Sequence, residues 1–110
     1  QIGWIPYFVE RADDTWETHQ WAQGEYRLPK PPSEYYRQSI YSCFFKDSVG
    51  MDLIERVGLD QVMFETDYPH QDGTFPNTLQ VAKDLFGHLP QDHVNKIARE
   101  NAIKLLDLDL

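Results

Sequence analysis

Two short runs dense in β-branched and aromatic side chains, residues 39–45 and 61–66, constrain this chain more than any other feature. Neither alternates apolar with polar residues for long, so each reads as a strand covered on both faces. Between them Asp47 or Ser48 can cap a helix that runs to Val57 and ends at Gly58. A strand, a helix and a second strand at this spacing predict parallel pairing through a right-handed crossover. Two parallel strands alone cannot bury both of their faces, so the pattern demands further strands from elsewhere.

The flanks extend the alternation. Ile5, Phe8, Val9, Ala12 and Trp16 recur at helical spacing opposite Glu10, Asp13, Asp14 and Glu17, with Pro6 suited to a first turn. Residues 22–34 bring Gly24, Pro29, Pro31 and Pro32 among polar residues, which predicts an extended surface loop with a functional or interface role. Helices are predicted over 78–86 and 91–106. The order helix, strand, helix, strand, helix, helix gives an α/β class. A (β/α)8 barrel takes roughly 250 residues, so 110 residues match its last quarter or third. The expected architecture is therefore the C-terminal portion of such a barrel, about strands 7 and 8 with flanking helices, with residues 1–110 forming part of a single domain. The apolar opening Ile2 to Val9, without an initiator Met or a basic leader, reads as a cut within a longer protein.

Eighteen acidic against ten basic residues give a net charge of −8, and no Lys/Arg cluster interrupts it. Such a field repels phosphate backbones and anionic lipid heads, so neither nucleic acid nor a membrane surface is an expected partner. No apolar stretch approaches the roughly 20 residues that span a bilayer. Cys43 is the single cysteine and is read as a buried thiol. Without a possible intrachain disulfide, a reducing, cytoplasmic setting is expected.

Chemistry concentrates where the second strand ends. Phe64-Glu65-Thr66-Asp67-Tyr68-Pro69-His70, followed by Asp72-Gly73-Thr74-Phe75-Pro76, delivers a carboxylate and an imidazole to the C-terminal end of a strand, the catalytic mouth in parallel barrels. By spacing alone Asp67 could equally cap a turn, and His70 could be a surface histidine stacked on Tyr68 or Phe75. The run resembles the strand-8 signature of the amidohydrolase-related family, which includes aminocarboxymuconate-semialdehyde decarboxylase. Pro32-Ser33-Glu34-Tyr35-Tyr36-Arg37 leading into Ile40-Tyr41 and Phe44 is similar to the segment entering strand 7 of many members. Ile97-Ala98-Arg99-Glu100-Asn101-Ala102-Ile103-Lys104-Leu105-Leu106 resembles the family's closing helix.

The resemblance implies a metal-dependent enzyme that acts on a small organic molecule by hydrolysis or by non-oxidative decarboxylation. Asp67 would bind one divalent metal, with Zn2+ expected first and Mn2+ or Fe2+ as alternatives, and would orient or deprotonate its water. His70 would touch substrate at the pocket mouth. The family's other ligands, a His-x-His pair on strand 1 and a His from strand 5, have no counterpart among His19, His88 and His93. The remainder of the barrel is thus a required partner, and the chain alone is expected to be inactive. Glu65 stands where the family commonly has Gly or Ser. Arg11, Arg27 and Arg37 are candidates for gripping a substrate carboxylate, against the alternative of surface ion pairs. Trp4 and Trp16 read as barrel packing, whereas the aromatics from Trp21 to Tyr36 suggest a lid or a contact within a homo-oligomer. The competing reading is a non-catalytic binding or scaffold protein that keeps the barrel and lacks a complete metal site.

Overall fold

The computed structural model describes residues 1–110. Helix α1 (Ile5–Thr18) opens the chain with proline in its first turn, where the missing N–H costs nothing. A short helix α2 (Gln20–Gln23) and a 3-10 turn (Gly24–Tyr26) follow, with Gly24 at φ 55°. Helix α3 (Pro32–Ser39) then packs against α1. Residues 22–34 are thus not one extended loop. Pro31 and Pro32 occupy the cap and first position of α3, where proline starts a helix rather than breaking it. The start is fixed by Asp13 of α1, whose Oδ1 accepts the Ser33 N–H at 2.8 Å.

Strand β1 (Ser42–Phe44) pairs in parallel with β2 (Val62–Phe64), Cys43 opposite Met63. Both strands are shorter than the apolar runs that carry them. Extended backbone already begins at Ile40, at φ −111° and ψ 122°, but the ladder forms only where the two segments face each other. One further bond, Glu65 N–H to Phe44 O at 2.9 Å, ends it. The crossover is helical, as the spacing predicts, but it breaks at Leu53 into α4 (Ser48–Asp52) and α5 (Ile54–Val57). Gly58, at φ 105°, turns the chain into a 3-10 turn (Leu59–Gln61) and β2.

After β2 come α6 (Thr78–Phe86) and a long helical run made of α7 (Gln91–Asn95), a π-helical stretch (Lys96–Glu100) and α8 (Asn101–Leu106). These helices lie on one face of the sheet. There Phe44, Phe64 and Phe86 form a mutual edge-to-face trio at centroid distances of 5.8, 6.0 and 5.3 Å, and Val62 and Ile97 are almost fully buried beside them. Strand side chains alternate, so Cys43 and Met63 occupy the opposite face, which is only half-buried. The expectation of strands covered on both faces holds for one face within this chain. No helix is long and apolar enough to cross a membrane.

Candidate functional site

Parallel strands send their C-terminal ends to one edge, and there the chain gathers its candidate functional groups. β1 leads into Lys46 and Asp47, and β2 into Glu65, Thr66 and Asp67. The segment after β2 is a closed loop rather than a loose turn. Thr66 O accepts the Thr74 N–H at 2.9 Å and the Thr74 hydroxyl at 3.1 Å. Within the loop, His70 N–H donates to Asp67 O at 2.9 Å and Gly73 N–H to His70 O at 3.1 Å. Thr74 is buried, 3% exposed, and its hydroxyl also meets that of Thr78 at 2.9 Å, so the loop runs directly into α6. A Cβ at Gly73 would stand 2.9 Å from the carbonyl oxygens of both Thr66 and Asp67. Only glycine closes the loop this tightly.

Asp67 takes φ 55°, the left-handed region that aspartate tolerates better than most residues. Its side chain is mostly shielded, 24% exposed, and Oδ1 accepts Nδ1–H of His70 at 2.8 Å. The two residues singled out in the sequence are therefore in direct contact. His70 does not stack on Tyr68 or Phe75, which instead contact each other edge to face at 5.2 Å. The hydrogen bond that it donates to Asp67, then the Asp67 charge, holds the His70 imidazole above the ordinary histidine range. With Nδ1–H committed to Asp67, Nε2 makes no hydrogen bond within the chain and belongs to a ring that is 70% exposed.

Lys46 closes the far side of the loop: Nζ donates to Asp72 O at 2.8 Å and to Gly73 O at 3.0 Å. Sequence reasoning did not single it out, because only the fold shows that a lysine after β1 meets carbonyls following β2. Cys43 is half-buried rather than buried. Burial, reinforced by the Glu65 charge, pushes its thiol above the ordinary range, so it is a poor nucleophile.

The other candidates lie elsewhere. His19 accompanies the Thr18 hydroxyl at 2.8 Å, His88 is exposed after α6, and His93 lies 3.8 Å from Asp92. Arg11 pairs with Asp14, and Arg27 lies 5.2 Å from the Trp16 ring centre. Arg37 is on the exposed side of α3, beside Glu10, Asp13, Glu55 and Arg56.

A family model described as amidohydrolase matches residues 2–108, and the chain belongs to that family. No curated protein matches the sequence. Membership makes a hydrolase-type enzyme the coarse functional assignment, and amidohydrolases usually bind metal. No three His, Cys, Asp or Glu side chains of this chain converge on one point. What it offers a metal is the Asp67 carboxylate, a hard anionic donor whose Oδ2 is left for a second partner while His70 holds Oδ1. The residues fit a divalent ion as one contributed ligand, not as a complete site.

Proposed function

We propose that this chain supplies strands 7 and 8 of an amidohydrolase (β/α)8 barrel resembling the aminocarboxymuconate-semialdehyde decarboxylase group. In it Asp67 is one ligand of a single divalent metal, first Zn2+, and a proton acceptor in hydrolysis or non-oxidative decarboxylation of a small organic substrate. The observation that carries the reading is the shielded Asp67 carboxylate after β2, its geometry set by His70 at 2.8 Å. The metal, when bound, supplies Lewis acidity to the reacting centre. Asp67 contributes negative charge and a site for a proton, while His70 orients that carboxylate and presents Nε2 to substrate. The half-buried sheet face of Cys43 and Met63 is the one that the remaining strands would enclose, and the chain without them is inactive.

Two measurements test this. In the complete enzyme Asp67→Asn keeps the shape of the side chain but removes its charge and basicity, so turnover falls at least about 10²-fold. His70→Ala is milder and raises KM more than it lowers metal content. Unchanged turnover and metal occupancy in Asp67→Asn would return Asp67 to a turn-capping role. Calorimetric titration of residues 1–110 with Zn2+ gives no stoichiometric submicromolar site, since three or more converging ligands are required. Tight binding there would contradict the shared-site reading.

A further inference from the structure

Four of the ten basic side chains of this acidic chain pair with carboxylates. Arg11 meets Asp14, Lys30 meets Glu34, Arg56 meets Glu10 and Lys96 meets Asp60. Lys46 differs, because its ammonium is directed at two consecutive main-chain carbonyls, those of Asp72 and Gly73, 26 and 27 residues away. An ammonium has three donors and no acceptor, so it can hold both oxygens at once. Charge-assisted bonds of this kind are stronger than neutral ones.

The two carbonyls lie on the returning limb of the loop that opens at Asp67. Gly73 is also the residue whose missing side chain lets that limb approach Thr66 and Asp67. From the next position along, Asp47 grips the opposite neighbour, accepting the Ile2 and Gly3 amides at 2.5 and 2.7 Å. The Lys-Asp dipeptide after β1 therefore fastens the segments on both of its sides, the lysine by donating and the aspartate by accepting.

We propose that Lys46 is a positioning residue for the Asp67 site: it holds the returning limb of the loop against the end of β1 and so fixes where the Asp67 carboxylate stands. The second half of this statement rests on the reading of Asp67 given above. Lys46 needs no contact with substrate or metal to act. Without it, the loop keeps only its internal bonds, and the Asp67 to His70 turn moves with the freed limb.

The test uses the full-length protein with Lys46→Met, Lys46→Arg and Asp67→Asn, reading amide hydrogen exchange and equilibrium Zn2+ affinity. In Lys46→Met the Gly73 and Thr74 amides exchange at least about tenfold faster, the scale of one lost charge-assisted bond. The Glu65 amide, bonded to Phe44 O, serves as an internal reference and does not change. Zn2+ affinity falls about tenfold or more, the usual range when a ligand's supporting partner is lost. Lys46→Arg restores both readouts, because a guanidinium can still donate to two carbonyls. Unchanged exchange in Lys46→Met overturns the hold on the loop, and faster exchange with unchanged Zn2+ affinity overturns the link to Asp67. If Asp67→Asn itself leaves Zn2+ affinity unchanged, the metal reading fails and takes the link with it. The exchange of Gly73 and Thr74 still decides the first half.

Discussion

Asp47 shows how much one side chain organises here. Its Oδ1 accepts the Gly50 amide at 2.8 Å, capping α4, while Oδ2 takes the Ile2 and Gly3 amides. Gly50 is held in the same knot: a Cβ there would meet Ile2 Cγ1 at 2.4 Å and the Asp47 carboxyl at 2.8 Å. Burial pushes the Asp47 carboxyl up, but the three amides together outweigh it and leave the group below the ordinary carboxylate range. A carboxyl with a depressed folded-state pKa contributes stability above its unfolded value, about 4. That contribution is lost as pH falls through the lower folded value. Asp47→Asn should therefore cost about 1–2 kcal/mol at pH 7, after discounting for partial exposure. Urea midpoints of the two proteins should converge as pH falls from 7 through and below the ordinary carboxylate range, and a gap of the same size at the acid end would rule out the charged interaction. The capping role of Asp47 was legible in the sequence, because a cap is a local relation. Its hold on Ile2 and Gly3 was not, because that partner lies 45 residues away.

At the level of elements, the closing helix is tied to the sheet by Asn101. Its buried amide donates to Leu59 O and Val62 O, both at 2.8 Å. The Asp60 to Lys96 pair at 2.7 Å adds an exposed link between the same segments, worth little by itself. Asn101→Ala removes both amide bonds and leaves a carbonyl at nearly fully buried Val62 without its donor. The cost should be about 2–3 kcal/mol, read as a lower urea midpoint at unchanged slope. Loss of less than about 0.5 kcal/mol would mean that the apolar contacts of Ile97 carry the docking alone. Helix α6 matches its predicted span of 78–86 because its apolar periodicity is uninterrupted. α3 is hard to read from sequence because Pro31 and Pro32, which elsewhere break helices, here start one. The strands were overestimated because apolar sequence marks burial, whereas a ladder also needs a partner.

The whole molecule is open. Its radius of gyration is 16.3 Å, against about 13 Å for a compact domain of this length, and 14 of 110 residues are buried. Trp4, Phe8, Leu28 and Ile40 border an apolar cavity of about 490 Å³ between α1 and α3, with Trp4 and Phe8 each 60% exposed. Unpaired strand edges and apolar surface of this kind promote association. Residues 1–110 by themselves should therefore self-associate at micromolar to millimolar concentration, and Trp4→Glu with Phe8→Glu should reduce it. A wild-type chain that stays monomeric by light scattering at high concentration would defeat this prediction. The α/β class was legible because it follows from the order of elements. The contact of Asp67 with His70 was only partly legible: their nearness in sequence marks them together, but the left-handed turn at Asp67 that joins them is a property of the fold.

The ring closed by Thr66 and Thr74 separates two tasks that many sites entangle. Its fastenings are main-chain groups, the hydroxyls of Thr66 and Thr74, the Asp67 to His70 bond and a lysine from outside, and the side chains of Gln71 and Asp72 make none of these hydrogen bonds. Gln71 can vary without breaking any of these bonds, so under the function proposed above the loop could change what it recognises while the Asp67 carboxylate stays in place. Substitutions at Gln71 should accordingly shift preference among substrates of the complete enzyme more than they shift its unfolding midpoint.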